Sequence, residues 1–222
     1  VRRLLAFGCA DAYLHPDVLK FIEKNSFYYT GGTLQKVSLG TLQEVSYTLA
    51  DTKRVAHIAG CVDMAVRLAE CYDADAVLAQ RAALLHDITK PVRPADQLLL
   101  CERYGIILSN FEEENPQLLH AKTGAAVAKA IFGECDEVCK AIQWHTTGKE
   151  NMGLLDKILY LADFIEPSRN FEGIASVRKL AFENLDEALL QALQLSINFL
   201  KEKGKSCDPN SQRAEKFLLS LK

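Results

Sequence analysis

Helix-starting and helix-ending residues punctuate the chain from about residue 42 to its end, and between them apolar side chains recur every three or four positions with almost no strand-like alternation. That pattern confines the chain to an all-α class. Asp51 is placed to cap "TKRVAHIAGCVDMAVRLAECY", whose apolar positions 55, 58, 59, 62, 66 and 69 share one face. Asp75 is placed to cap "ADAVLAQRAALLHDITK", with Pro91 and Pro94 ending that helix. Asn115-Pro116 opens "QLLHAKTGAAVAKAIF", which stops at Gly133, and Asp136 opens "EVCKAIQWH". "GLLDKILYLADFIEP" closes at Pro167, and two or three amphipathic helices follow through Leu221.

Residues 1–40 differ in character. A short helical piece, "HPDVLKFIEKNSFYY", runs into "TGGTLQKVSLGT", whose glycines and small polar residues read as a linker. The expected organisation is an N-terminal helical extension with its linker over 1–41 and a main domain over 42–222. A chain of 222 residues with 49% hydrophobic content has enough apolar surface for a proper core.

Composition removes several function classes. The net charge is −3 and the longest like-charge run is Glu112-Glu113-Glu114, so no basic field exists to hold polymeric nucleic acid or an acidic membrane surface. No stretch approaches the roughly 18–20 apolar residues that span a bilayer, and the N-terminus lacks the apolar core of a signal peptide. The 7 cysteines are scattered and never spaced C-x-x-C, against both a disulfide framework and a thiolate zinc site. They read as reduced, mostly buried thiols of a cytoplasmic protein.

Four of the 5 histidines, His57, His86, His120 and His145, lie in helical contexts among small or apolar residues. Each alone reads as a hydrogen-bonded core residue. Asp87 directly follows His86, however, and Asp163 sits within "YLADFIE". Burying imidazoles and carboxylates together costs several kcal/mol per unpaired charge unless they meet one another or a cation. Nitrogen and carboxylate donors suit iron, manganese, zinc or nickel, and helical bundles build such sites from facing helices. Adjacent helical residues point about 100° apart, so His86 and Asp87 can share an ion only where the helix ends or lines a pocket.

His57, then His86-Asp87, then Asp163 resembles the H…HD…D signature of the HD superfamily of metal-dependent phosphohydrolases. The stretches "KRVAHIAGCVDMAVRLA", "AALLHDITK", "ENPQLLHAKTGAAVAK", "AIQWHTTG" and "LLDKILYLADFIEPSRNFEG" are most similar to its YqeK branch, proposed symmetrical diadenosine-tetraphosphate hydrolases. The resemblance covers residues 45–215, about three quarters of the chain. It implies an HD-domain helical bundle in which His57, His86, Asp87 and Asp163 hold one metal, expected to be iron, with manganese or another transition metal open to the same ligands. It also implies that His120 and His145 meet a second metal or substrate phosphate, with Asp87 as the bridge. Lys90, one turn past Asp87, becomes a catalytic and nucleotide-binding candidate beside Asp87, His120 and His145. Arg54 in "R-x-x-H", Arg169 in "E-P-x-R" and the Thr146 hydroxyl complete the nucleotide-binding set. For the aromatic residues Phe7, Tyr13, Phe164 and Phe171, core packing is the expected role.

The implied reaction is symmetrical hydrolysis of a dinucleoside tetraphosphate to two nucleoside diphosphates. The alternatives are an HD phosphohydrolase acting on another nucleotide, a metal- and ADP-binding sensor without turnover, and a purely structural bundle. A homodimer is expected from the family and the apolar segment "DEALLQALQLSINFL".

The opening "VRRLLAFGCADAYLHPDVLKFIEKNSFYY" resembles the final segment of bacterial nicotinate-nucleotide adenylyltransferases. Val1-Arg2, Tyr13-Leu14, Pro16, Val18, Phe21-Ile22 and Tyr28 match, while His15 stands where valine is usual. The catalytic core of such an enzyme is missing from these residues, so the resemblance implies a fused or adjacent adenylyltransferase and no activity in the tail itself. The alternative is an amphipathic helix that packs on the bundle or mediates dimerisation.

Overall fold

The computed structural model describes residues 1–222, and no residue of it lies in a strand. Thirteen α-helices follow one another: α1 (Arg2–Ala6), α2 (Pro16–Lys24), α3 (Leu39–Leu49), α4 (Thr52–Cys71), α5 (Ala76–Leu85), α6 (Pro94–Arg103), α7 (Asn110–Glu114), α8 (Leu119–Ala130), α9 (Asp136–Trp144), α10 (Leu154–Ile165), α11 (Ile174–Leu180), α12 (Leu185–Glu202) and α13 (Pro209–Ser220). The all-α expectation holds.

Helix α10 is the centre of the bundle. Leu155, Ile158, Leu159, Tyr160, Leu161, Ala162 and Ile165 bury nearly its whole circumference, and a helix apolar all round must be enclosed by others. Helices α4, α5, α9 and α12 enclose it. Asp163, its one inward carboxylate near the C-terminal end, is thereby carried to the meeting point of α4, α5 and α9.

The N-terminal extension is part of the same core. Leu4, Leu5, Phe7 and Ile22 belong to one continuous apolar cluster with Leu68, Leu159 and Leu193. Polar contacts fasten it. Tyr104 donates to the Phe7 carbonyl at 2.7 Å, Tyr13 donates to Asp96 at 2.5 Å, and the Arg3 guanidinium reaches Asp51 at 2.7 Å. Ser38 caps α3 by accepting from Thr41 N–H, so residue 41 falls inside a helix.

Several local expectations are corrected. Asp51 is the N-cap of α4 but makes no side-chain cap bond, its carboxylate being engaged by Arg3. The buried stripe of α4 runs through Ile58, Cys61, Met64, Ala65, Leu68 and Ala69, rotated from the expected face, because the helix presents its cysteine and methionine to α5 and α10. Helix α5 ends at Leu85, before the HD pair and not at Pro91. Pro94 does not terminate anything: it begins α6, where its missing N–H costs nothing. Asp136 is the first residue of α9 and Cys135 its cap, and Pro116 starts a short 3-10 turn that precedes α8. Asp75 caps α5 as expected, accepting from the Val77 and Leu78 amides.

Helix α12 spends Leu185, Ala188, Leu189, Leu190, Ala192 and Leu193 on its own core, leaving Phe199 as its large exposed apolar side chain. All seven cysteines are free, with Cys9, Cys61, Cys101 and Cys139 buried. No helix is long and apolar enough to cross a membrane.

Candidate active site

The site begins where α5 stops. His86 turns its Nδ1–H back to the Ala83 carbonyl at 2.7 Å, and the following residues tighten into three-residue turns, Ile88 N–H bonding Leu85 O and Lys90 N–H bonding Asp87 O. His86 still has helical dihedrals as the C-cap, and the tighter turns that follow bring the buried Asp87 to its side. A buried polar network fixes the turn: Thr89 donates to the His120 carbonyl at 2.9 Å, its own carbonyl accepts from Gln97 at 2.7 Å, and Thr123 donates to Gln97 Oε1 at 2.6 Å. With every partner internal, this network is rigid.

Backbone carbonyls set the histidine tautomers. His120 Nδ1 bonds Gln117 O and His145 Nδ1 bonds Ile142 O, each at 2.7 Å, repeating the three-residue reach of His86. His57 Nδ1 bonds the Glu166 carboxylate at 3.1 Å. In all four rings the proton is held at Nδ1, so the Nε2 lone pair is left facing inward. His57 Nε2 and His86 Nε2 lie 3.2 Å apart, and His120 Nε2 and His145 Nε2 lie 3.3 Å apart.

Asp87, buried, lies between the two pairs. Its Oδ2 is 3.4 Å from His86 Nε2 and 3.6 Å from His57 Nε2, while Oδ1 is 3.3 Å from His120 Nε2 and 3.8 Å from His145 Nε2. Asp163 Oδ1 is 3.3 Å from His57 Nε2. Lone pairs facing lone pairs at such distances repel, and only a cation between them relieves it. The donor set therefore fits one or two divalent ions. The arginines point the same way: Arg54 binds Asp87 directly, and Arg169 donates to Asp163 Oδ1 at 2.7 Å.

Burial and neighbours tune the charges. Burial pulls His86 down to about 3 and His145 down to about 4, and it holds His120 well below the ordinary histidine value with help from the His145 and Lys90 charges. These rings are neutral at neutral pH. Burial pushes the Asp163 carboxyl up, but the facing His86 ring and the Arg169 guanidinium outweigh it and leave it below the carboxylate range. Lys90 places Nζ 3.1 Å from His120 Nε2, and burial, then the Arg54 charge, lower it to about 8.

A cleft of about 220 Å³ opens beside the centre, lined by His145, Thr146, Asp163, Phe164, Arg169 and Phe171 among others. Thr146 Oγ1 is buried there and has no protein partner. Thr147 instead donates to the Gly148 carbonyl. The structure brings together the side chains expected at a site, namely Arg54, His57, His86, Asp87, Lys90, His120, His145, Thr146, Asp163 and Arg169. Of the four aromatics, Phe164 and Phe171 line the cleft, whereas Phe7 is fully buried in the core and Tyr13 is bound to Asp96.

Sequence reasoning missed Glu166, Arg178 and Cys61. Glu166 is buried and orients His57, a second carboxylate one turn from Asp163. Its room depends on Gly60, where a Cβ would lie 2.8 Å from Glu166 Oε2. Arg178 donates to the carbonyls of Ile165, Glu166 and Arg169, pinning the turn that carries Arg169. The spacing Asp163–Glu166 was a visible signal; Arg178 had none.

The HD domain model matches residues 54–168, from Arg54 to the residue before Arg169. A symmetrical bis(5'-nucleosyl)-tetraphosphatase of Bacillus subtilis is 36% identical over 168 residues, 75% of this chain and 90% of that protein. A Mycoplasma genitalium protein described as a probable nicotinate-nucleotide adenylyltransferase/Ap4A hydrolase is 33% identical over 161 residues, 69% of this chain and 45% of that longer one. A solved structure from Clostridium acetobutylicum, described as a predicted HD superfamily hydrolase involved in NAD metabolism, is 37% identical and superposes with a TM-score of 0.80 over 84% of this chain and 99% of that one. The chain belongs to the HD-domain family, in the branch of the symmetrical bis(5'-nucleosyl)-tetraphosphatases.

Proposed function

We propose that this protein hydrolyses diadenosine tetraphosphate, or a close dinucleoside polyphosphate, symmetrically to two nucleoside diphosphates. The observation that carries the proposal is Asp87, one carboxylate whose two oxygens face two separate pairs of proton-free imidazole nitrogens. The matching relatives named as symmetrical tetraphosphatases supply the substrate class.

His57, His86, Asp87 and Asp163 would hold one divalent ion, iron or manganese, and His120 and His145 a second ion or a substrate phosphate. A bound divalent ion supplies Lewis-acid charge for phosphoryl oxygens and lowers the pKa of water into the neutral range. Once the carboxylates are otherwise engaged, the guanidiniums of Arg54 and Arg169 are free to turn to the polyphosphate, for which their planar forks suit two oxygens at once. Lys90, still mostly protonated at neutral pH, brings a positive charge to the mouth where phosphoryl charge develops. Thr146 Oγ1 is a donor without a protein acceptor, and Phe164 and Phe171 offer apolar walls to a nucleoside. Water adds to one β-phosphorus, the bond from that phosphorus to the oxygen shared with the other β-phosphorus breaks, that oxygen leaves on one nucleoside diphosphate while the water oxygen stays on the other, and the two water protons pass to solvent.

Residues 1–41 are assigned as an adenylyltransferase-derived extension and 42–222 as the hydrolase domain. Mycoplasma relatives described by both activities support an adenylyltransferase partner, fused or adjacent. A homodimer and a cytoplasmic setting complete this reading.

The test is product analysis. Protein prepared without chelator is given ferrous or manganous ion anaerobically and then diadenosine tetraphosphate, and nucleotides are separated by anion exchange. ADP alone, lost in Asp87→Ala, is expected. ATP plus AMP would overturn the symmetrical cleavage. Bound metal with bound ADP and no products would favour the sensor instead.

A further inference from the structure

His57 and Cys61 stand one helical turn apart on α4, so their side chains leave the same face. The Cys61 sulfur is buried, 3.9 Å from His57 Nε2 and 4.0 Å from Asp163 Oδ1. Donor atoms of His57, Cys61, His86 and Asp163 all lie within 4.8 Å of one another. A further observation makes this a ligand group and not an isolated thiol. His86 has no exposed surface and commits Nδ1 to a carbonyl, which leaves its Nε2 a bare acceptor aimed into the same space.

We propose that Cys61 is a soft fourth donor of this centre, so that a thiophilic ion such as zinc, cobalt or cadmium closes a His57–Cys61–His86–Asp163 site and leaves Asp87 outside it. In a tetrahedral zinc site, bond lengths of 2.0–2.1 Å to nitrogen and 2.3 Å to sulfur give nitrogen–nitrogen edges of about 3.4 Å and nitrogen–sulfur edges of about 3.6 Å. The 3.2 Å and 3.9 Å separations found here lie within a few tenths of those edges. Asp87 Oδ2, 3.4 Å from His86 Nε2, is the competing donor. Two imidazoles and Asp163 thus serve two alternative sets, and the softness of the ion chooses between them: oxygen-preferring manganese takes Asp87, and zinc takes the thiol. On coordination the S–H bond is exchanged for a sulfur–metal bond and the proton leaves to solvent.

The consequence is selectivity by inhibition. A site closed by four protein ligands keeps no open position, so zinc would occupy the centre without supporting turnover. The missing C-x-x-C pair excludes a multi-thiolate site but leaves a single thiol free to join imidazoles. Cys61 acts in this way only if the centre is a metal site, as proposed above.

The deciding experiment adds one equivalent of cobalt(II) anaerobically to metal-stripped protein and records its absorption spectrum. Wild type is expected to show a thiolate-to-cobalt charge-transfer band and intense tetrahedral d–d bands. Both should survive in Cys139→Ser and vanish in Cys61→Ser and Cys61→Ala, with cobalt affinity falling by at least about tenfold, a loss that removal of an outer-shell partner alone can cause. Should the Cys61 variants fail to fold, zinc X-ray absorption on wild type decides, with one sulfur neighbour expected. Cobalt bound without the band, a band that persists in Cys61→Ser, or a zinc shell of nitrogen and oxygen alone would each overturn the role of Cys61. Failure of cobalt to bind at all would overturn the metal centre itself.

Discussion

The Nδ1 atom of His57 lies 3.1 Å from Glu166 Oε1, and that carboxylate is itself held by the Ser168 amide at 2.7 Å and by the Ser168 hydroxyl. Burial pushes the Glu166 carboxyl up, yet the Ser168 and His57 hydrogen bonds bring it below the ordinary value, so it stays an anion behind the imidazole. An anion in that place fixes the tautomer and raises ring basicity. Glu166→Gln should weaken metal binding by about 10–100-fold, read by competition against a chelating dye, with the folded midpoint of the metal-free protein changing little. Gly60→Ala reaches the same carboxylate from the other side: helix propensity favours alanine by about 1 kcal/mol, but its Cβ would sit 2.8 Å from Glu166 Oε2 and 3.0 Å from Pro167 Cδ. Lower metal affinity without a gain in Tm is expected, and unaltered affinity in both variants would remove Glu166 from the centre.

Arg178 joins the carbonyls of Ile165, Glu166 and Arg169 at 2.8, 2.8 and 2.7 Å. A charged donor bonded to part-buried carbonyls contributes about 1.5–3 kcal/mol. Arg178→Ala should cost about that much in denaturant unfolding and, by loosening the turn that carries Arg169, raise KM more than it lowers kcat. A fall in kcat with KM unchanged would contradict this positioning role.

What was legible in the sequence follows from these contacts. The six candidate ligands could be read because polar residues in apolar helical runs are conspicuous, and because five motifs occur in fixed order. Glu166 went unread although its spacing from Asp163 was visible, since "E-P" reads as an exposed helix end, and its burial depends on the close crossing of α4 and α10 that Gly60 permits. The end of α5 was misplaced for a related reason. Proline is a visible terminator, whereas the stop at Leu85 comes from imidazole Nδ1–H reaching a backbone carbonyl, which no periodicity records. Pro94 was read as a breaker when it is the first residue of α6, and that helix went unseen. The rotated stripe of α4 reflects which partner helices surround it, a tertiary property.

Acid should unfold the metal-stripped protein early. His86 and His145 have folded values of about 3 and about 4, below the unfolded value of about 6.5. The unfolded chain therefore binds protons that the folded one refuses, and stability present above about pH 6.5 is lost as pH falls toward the folded values. Within that window each ring removes about 1.4 kcal/mol per pH unit. Thermal midpoints in chelator should drop steadily from pH 6.5 to 4.5, with a shallower slope in His145→Gln. A flat profile over this range would show that the two rings are protonated in the folded state.

The N-terminal extension offers a test independent of the metal. Tyr13 donates to Asp96 Oδ1 at 2.5 Å, and Arg93 holds Asp96 Oδ2 at 2.8 Å. The Arg93 hydrogen bond, joined by that of Tyr13, keeps the Asp96 carboxyl below its ordinary value against the opposing effect of burial. A depressed carboxylate contributes stability that is present above its unfolded value, about 3.9, and lost as pH falls through its folded value. A double-mutant cycle of Tyr13→Phe with Asp96→Asn should therefore give a favourable coupling at pH 7 that shrinks below about pH 4. Metal affinity should stay at the wild-type value in both single variants, since neither residue touches the centre. Zero coupling at pH 7 would mean that the apolar contacts of Leu4, Leu5 and Phe7 alone hold the extension on the bundle.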